Sequence, residues 1–193
     1  MIINNQTRLL VLGIAMTILS GCAISAAGGA AAGATASIDR RTAGAIIEDQ
    51  TIELKAYAAI QQDGKLDEQT HISVTSYNGR VLITGEAPLA EMKQKITDLV
   101  SNINKVSQVY NEVSIAAPSS MVSRTSDTYI TTKVKARMIA DEKLSGLIIK
   151  TVTEKGVVYL LGIVSRDEAE LATTIARETG GVQKVVKLFE YLN

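Results

Sequence analysis

The chain of 193 residues has no Trp, one Phe, one His and one Cys. A single histidine and a single thiol leave little material for a metal site or for nucleophilic catalysis, and one cysteine excludes an internal disulfide. The 20 basic and 20 acidic residues cancel, so bulk charge gives no reason to expect nucleic-acid binding. Apolar cores must therefore hold the fold, and function must arise from local surface features.

An apolar run opens the chain and ends at its only cysteine. Arg8 is the only charged side chain before the run from Leu9 to Ser20, which is too short to span a bilayer as a mature helix. This is the pattern of a secretory signal. The sequence Leu19-Ser20-Gly21-Cys22 then resembles the lipobox of bacterial lipoproteins, although Cys22 could also stand by chance near an ordinary cleavage site.

The lipobox resemblance implies a signal peptide over residues 1–21, a diacylglyceryl group on the Cys22 thiol and acylation of the new amine. Two or more acyl chains make a durable membrane anchor, whereas one chain holds only weakly. Ala23 stands where enterobacterial lipoproteins retained at the inner membrane tend to have Asp. The resemblance therefore implies an outer-membrane location, facing the periplasm.

Residues 22–45 are rich in Ala, Gly, Ser and Thr, which predicts a flexible tether behind the lipidated cysteine. A linker of this length reaches on the order of 25 Å. The alternative is a small-residue helix on the bilayer, because Gly28, Gly29 and Gly33 are spaced as in close-packed helices. Glycine is a poor helix former outside lipid, which favours the tether.

From Ile46 onward the chain repeats itself, with a shift that falls from 78 to 76 residues. This drift places small deletions in loops and indicates one module used twice. We expect modules at residues 46–115 and 126–193, joined by a linker at 116–125 that contains Pro118. The aligned pairs are Asp49–Ala56 with Asp127–Val134, Gly79–Gly85 with Gly156–Gly162, and Val106–Val109 with Val182–Val185.

Each copy begins with an amphipathic helix, for which Asp49 or Asp127 is the expected N-cap. A hairpin follows, turned by Asn78-Gly79 in the first copy and by Lys155-Gly156 in the second. Apolar residues recur at helical spacing after each aspartate. They are Ile52, Ala56 and Ile60 in the first copy, and Ile130, Val134 and Met138 in the second.

A second helix should start near Pro88 in the first copy and near Ser165 in the second. A closing strand then covers 106–115 or 182–191. A hairpin followed by a strand-helix-strand crossover predicts a three-stranded mixed sheet with two helices on one face. The expected fold class is α+β, with two tandem αββαβ modules.

The order helix, hairpin, G-x-V-x-L-x-G, helix and strand resembles the BON domain, named for bacterial osmotic-stress and nodulation proteins. Two copies behind a lipobox resemble the dual-BON outer-membrane lipoproteins of bacterial envelopes. The resemblance implies a protein that is not an enzyme and needs no cofactor. It also implies support of envelope integrity, association with anionic phospholipid such as phosphatidylglycerol or cardiolipin, and a location often near the division septum.

The residues themselves supply no catalytic or metal site. His71 stands alone before a strand and is expected to be solvated, and Glu168 and Glu170 lie on a helix surface with no visible partner. Four glycines are explained by backbone geometry at turns beside strands rather than by nucleotide binding. These structural glycines are Gly79, Gly85, Gly156 and Gly162.

The two opening helices differ on their outer faces. Tyr129 and Ile139 point away from the apolar stripe of the second helix, where the first helix has Thr51 and Gln61. Charge changes as well, because residues 46–62 carry three acids and one base while residues 124–140 carry one acid and four bases. A basic helix with outward apolar residues suits an anionic lipid surface. The predicted lipid-binding residues are Tyr129, Thr132, Lys133, Val134, Lys135, Arg137 and Ile139.

Two alternatives stay open from the sequence. Tyr129 and Ile139 could pack against the first module, since small tandem modules often share an interface. The protein could instead be an adaptor for outer-membrane assembly or peptidoglycan-remodelling proteins. Its contact surface would then be an exposed sheet edge or the acidic first helix around Glu48, Asp49 and Glu53.

Overall fold

The computed structural model describes residues 39–118 and 121–192, which form two α/β modules. The predicted signal peptide, Cys22 and most of the expected tether lie outside the described residues. The first module contains α1 (Ala43–Gln62), α2 (Gly64–Gln69), β1 (His71–Tyr77), β2 (Arg80–Ala87), α3 (Ala90–Ser101), β3 (Gln108–Asn111) and β4 (Ser114–Ile115). The second contains α4 (Met121–Ala140), a 3-10 turn (Gly146–Ile148), β5 (Lys150–Glu154), β6 (Val157–Val164), α5 (Arg166–Arg177) and β7 (Lys184–Tyr191).

The sheet topology is the same in both modules and confirms the predicted mixed sheets. The central strand, β2 or β6, pairs antiparallel with its hairpin partner and parallel with the closing strand. The first module departs from three strands because its closing strand is interrupted, and β4 resumes the parallel pairing with β2. At the interruption, the Asn111 side chain accepts a hydrogen bond from the Val113 N–H at 3.0 Å, which takes this group out of the ladder.

Both predicted helix stripes are buried. The stripe of α1, formed by Ile52, Ala56 and Ile60, packs against one face of the first sheet. The equivalent residues of α4 pack against one face of the second sheet. The second helices also start where expected. Ser165 caps α5 in a full capping box with Glu168, and α3 begins two residues after Pro88.

The two predicted N-caps are wrong. α1 begins at Ala43 with Thr42 as its cap, and α4 begins at Met121, so Asp49 and Asp127 both lie inside helices. Their carboxylates are used by the hairpins instead. Asp49 accepts hydrogen bonds from the N–H groups of Asn78 and Gly79, and Asp127 accepts from those of Lys155 and Gly156.

The helix starts also shift two expected boundaries. α1 begins within the expected tether at 22–45, and α4 begins within the expected linker at 116–125. In both modules the helix therefore starts ahead of the aspartate that bonds to the hairpin. The turns themselves are as predicted, with φ near the left-handed region at 74° for Gly79 and 73° for Gly156.

Gly85 and Gly162 do not lie in turns, contrary to expectation. They lie within β2 and β6, where a side chain has no room. A Cβ at Gly85 would meet the carbonyl oxygen of His71, and one at Gly162 would lie 2.9 Å from the carbonyl oxygen of Ile148. Close approach of neighbouring backbone therefore explains these two glycines.

The two modules pack through the sheet faces that their own helices leave uncovered. Alternation along the strands sends one set of side chains to each helix-covered core and the other set to this shared layer. The helices of the two modules therefore lie on opposite sides of the paired sheets. Buried residues of the shared layer are Tyr77, Leu82, Tyr159, Leu161 and Leu188.

Polar contacts border the shared layer. The Tyr77 hydroxyl donates to the Ile148 carbonyl at 3.2 Å, and the Lys155 ammonium lies 2.9 Å from a carboxylate oxygen of Glu86. Asn78 donates to Glu190 at 2.9 Å. These contacts join residues far apart in sequence and fix the modules against each other. No helix among the described residues is both long and apolar enough to cross a bilayer.

Candidate functional site

The outer face of α4 carries two large apolar side chains that stay exposed among the described residues. Tyr129 is 65% exposed and Ile139 is 58% exposed, although α4 buries its core stripe completely. At about 100° per residue, both lie within about 40° of the direction opposite to that stripe. Ten positions of a helix span about 15 Å, so the pair makes an elongated patch.

The first module does not cover this patch. The modules meet through their sheets, and α4 lies on the far side of the second sheet. The alternative in which Tyr129 and Ile139 pack against the first module is therefore wrong. Val134 is also misassigned, because it is 0% exposed in the core and has no surface to offer a ligand.

Three cations accompany the patch, and the structure separates their roles. Lys133 donates to the Gly180 carbonyl at 2.8 Å, with its ammonium 5.3 Å from the centre of the Tyr129 ring. Arg137 bonds to the Thr179 hydroxyl and lies 3.5 Å from a carboxylate oxygen of Glu178, which offsets part of its charge. Among the described side chains of α4, Lys133 and the exposed Lys135 are thus the main positive charges.

Thr132 lies between the apolar pair on the outer face, and its hydroxyl donates to the Thr128 carbonyl at 2.9 Å. A depression of about 460 Å³ lies beside Tyr129 and is bordered by Ser126, Lys155 and Gln183. These hydroxyl, ammonium and amide groups can all donate hydrogen bonds. The sequence had not indicated this depression, because its walls come from three separate elements.

The adaptor hypothesis gave the acidic first helix or an exposed sheet edge as the contact surface, and most acids of this helix are engaged within the protein. Asp49 is buried against the hairpin, and Glu53 accepts from the Ser76 N–H and pairs with Lys150 at 2.9 Å. Only Glu48 of the three acids is well exposed. Intramolecular contacts therefore engage two of the three acids of this helix.

The Asp39-Arg40-Arg41 segment also has a structural role. Arg40 makes two hydrogen bonds to the carboxylate of Glu168, at 2.7 and 2.8 Å, and Arg41 lies 4.0 Å from the centre of the Tyr77 ring. Glu168 thus has a partner, contrary to expectation. The guanidinium of Arg40 lowers the pKa of Glu168 to about 2.

The described residues contain no group of His, Cys, Asp and Glu side chains that could hold a metal ion. His71 is half-buried as the first residue of β1, where it pairs in register with Glu86. This position differs from the solvated one expected before a strand.

The geometry of two αββαβ modules matches a known family. The BON domain model matches residues 48–117 and 126–193. These segments cover most of the chain, so the chain belongs to the BON-domain family.

Individual proteins are similar to this chain over most or all of its length. The outer membrane lipoprotein DolP of Haemophilus influenzae is 35% identical over 193 residues, covering 100% of both chains. A 21 kDa hemolysin of Actinobacillus pleuropneumoniae is 31% identical over 158 residues, covering 82% of this chain and 81% of the relative. The osmotically-inducible protein Y of Escherichia coli is 26% identical over 145 residues, covering 74% and 72%.

The chain is accordingly a DolP-like protein with two BON domains. Full-length similarity to an outer-membrane lipoprotein supports the same class and an outer-membrane location for this chain. The three relatives are named for a lipoprotein, a hemolysin and an osmotic response, not for an enzymatic activity.

Proposed function

We propose that the chain is anchored by lipid on Cys22, faces the periplasm, and docks on anionic phospholipid through α4. Docking would hold the protein at membrane zones, near division sites, where it supports envelope integrity. The observation that carries the proposal is the exposure of Tyr129 and Ile139 on a helix whose exposed charges are mainly basic.

The chemistry of the patch suits a headgroup boundary. Tyrosine combines an apolar ring with a polar tip and is enriched at membrane interfaces, and isoleucine adds apolar area. Lys133 and Lys135 would each contribute about 1 kcal/mol near an anionic surface, and salt would weaken this contribution. Phosphatidylglycerol and cardiolipin are the expected ligands.

Docking of this strength is reversible by itself. The anchor on Cys22 would keep α4 close to the bilayer, so a weak contact acts at a high effective concentration. The paired sheets support this arrangement, because they put α4 on the outside of the molecule. The first module would then face away from the bilayer, toward the periplasm.

Vesicle sedimentation tests the proposal with residues 23–193, which lack the anchor. The protein should sediment with phosphatidylglycerol vesicles and stay in solution with phosphatidylcholine vesicles. The double variant Tyr129→Glu/Ile139→Glu should lose binding while its circular dichroism spectrum stays unchanged. The matched control is Thr51→Glu/Gln61→Glu, which makes the same changes at the equivalent positions of α1.

Binding retained by the α4 variant would contradict the proposal. Equal loss in the α1 control would contradict it as well, since general negative charge rather than the α4 surface would then explain release.

A further inference from the structure

We propose that the outer edge of β5 binds an extended peptide segment of another protein, which adds as a further strand. This site lies at a sheet edge rather than on the outer face of α4, shares only Lys135 with the proposed lipid-docking surface, and does not rest on lipid docking. β5 lies at the edge of its sheet, because the strand order is β5-β6-β7. An edge strand presents backbone N–H and C=O groups that an incoming strand can pair with.

The hairpin register identifies which groups face outward. Glu154 and Val157 flank the two-residue turn and are paired in register. Hydrogen-bonded and non-hydrogen-bonded pairs alternate along an antiparallel ladder from such a turn. The N–H groups of Thr151 and Thr153 therefore point away from β6, toward the open edge.

The first module has an equivalent edge strand, β1, but side chains of α1 already bond to its outward N–H groups. The equivalent outward groups in β1 are the N–H groups of Val74 and Ser76. The Val74 N–H donates to the Tyr57 hydroxyl at 3.2 Å, and the Ser76 N–H donates to a Glu53 carboxylate oxygen at 2.8 Å. Side chains of α1 thus occupy the positions that an added strand would need.

The second module lacks these two closing side chains. At the repeat shift of 78 residues, Thr131 and Lys135 replace Glu53 and Tyr57. A lysine ammonium carries only donors and cannot accept from an N–H group. The Thr131 hydroxyl donates to the side-chain oxygen of Thr153 at 2.7 Å. The duplication therefore supplies an internal comparison in which one edge is closed by its helix and the other is not.

The open edge lies in a cleft of about 340 Å³ between the two modules. Thr151 is buried, and its hydroxyl has no hydrogen-bond partner within the part of the chain that the structure describes. Leaving a buried hydroxyl without a partner is energetically costly. Six hydroxyl side chains line the cleft, namely Ser73, Thr75, Thr128, Thr131, Thr151 and Thr153.

The lining and the nearby charge define the partner. Small hydroxyl side chains favour a peptide with serine, threonine or other small residues facing the cleft. Lys135 is exposed at the position from which Tyr57 reaches the edge in the first module, so an acidic residue at the outer side of the peptide complements it. The partner is therefore an extended, acidic segment rich in small polar residues.

Peptide selection on the mature lipidated protein in phosphatidylcholine nanodiscs tests the site without anionic lipid. A displayed library of random heptapeptides is selected against the wild type and against the double variant Thr131→Glu/Lys135→Tyr, which transfers the α1 closing residues to α4. The matched control is Ala136→Glu, which adds the same charge at an exposed position one residue from Lys135. The best enriched peptide is then synthesised for anisotropy and hydrogen-exchange measurements.

We expect peptides enriched on the wild type to bind the transferred-residue variant at least about tenfold more weakly, because two edge N–H groups are then occupied. The Ala136→Glu control should bind as the wild type does. Peptide binding should slow amide exchange in residues 150–154.

Three results would overturn the proposal. The first is that selection enriches no peptide on the wild type over the transferred-residue variant. The second is that both proteins bind the synthesised peptide with equal affinity. The third is that peptide binding slows amide exchange only in segments other than 150–154. None of them bears on lipid docking, which is measured with anionic vesicles.

Discussion

The ion pair between Lys155 and Glu86 joins the two modules, and its removal tests the packing that turns α4 outward. The Lys155 ammonium lies 2.9 Å from Glu86, whose side chain is 0% exposed. Lys155→Met would leave this buried carboxylate without its cation. Removing one partner of a buried pair costs about 3 to 5 kcal/mol, and we expect about 3 kcal/mol because the Lys155 side chain is itself 37% exposed.

Urea unfolding followed by far-ultraviolet circular dichroism measures this loss. The control is Lys184→Met, at an exposed lysine of β7, which should change stability by less than about 0.5 kcal/mol. Adding Glu86→Gln to Lys155→Met removes the buried charge and should restore most of the loss. A Lys155→Met variant as stable as the control would refute the reasoning, as would failure of the second change to restore stability.

Three further predictions concern single side chains. Asp127→Ala leaves two hairpin N–H groups without their acceptor and should lower the free energy of unfolding by about 2 to 3 kcal/mol in urea titrations; an unchanged midpoint would contradict this role. The pKa of Glu168 is lowered to about 2, so its pair with Arg40 stabilises the fold at pH values above the ordinary pKa of a carboxyl group. This stabilisation is lost as the pH falls toward 2. Glu168→Gln should therefore cost about 1 kcal/mol near neutral pH and nothing near pH 2 in thermal unfolding, and a pH-independent cost would argue against the pair. Burial and the nearby Glu112 raise the pKa of Tyr159 to about 12, so neutral Tyr159 stabilises the fold below about pH 10 and this contribution is lost as pH rises toward 12. A late phenolate transition in the ultraviolet spectrum should disappear in Tyr159→Phe, and its persistence would assign it to another tyrosine.

Much of the fold could be predicted from the sequence because its main signals are periodic. The helical spacing of Ile52, Ala56 and Ile60 identified a core stripe, and Asn78-Gly79 identified a hairpin turn. Duplication strengthened both, since each signal occurs twice at a nearly constant shift. Local patterns of this kind depend on neighbours in sequence, which is why they were readable.

The two aspartates were misread because one residue type suits two local roles. An aspartate accepts backbone N–H groups equally well at a helix N-terminus and at a tight turn. The choice between these roles for Asp49 and Asp127 depends on hairpins about 29 residues away in the chain. The residues around each aspartate do not predict a contact with a hairpin so far away in the chain.

The outward residues of α4 were only partly predictable. A helical wheel placed Tyr129 and Ile139 away from the core, and both are exposed. Val134 was expected both in the core stripe and among the lipid-binding residues, and the structure places it in the core. Whether another module covers an outer face depends on how the modules pack, and that packing uses alternate strand residues such as Leu82 and Leu161.

The sequence alone did not show that α4 lacks side chains to bond the outward N–H groups of β5. Glu53 and Tyr57 look like ordinary helix-surface residues until their hydrogen bonds to β1 are known. Once these bonds are known, the repeat identifies Thr131 and Lys135 as their replacements. The comparison of duplicated modules is then more informative than either module alone.

The most direct test of lipid docking is a titration of backbone amide shifts in residues 23–193 with phosphatidylglycerol micelles. Neutral-headgroup micelles are the control, and the absence of Cys22 removes any contribution from the anchor. Shifts concentrated between Thr128 and Ala140, and seen only with the anionic lipid, are the predicted result. Shifts absent from α4, or equal with both lipids, would contradict docking through this helix.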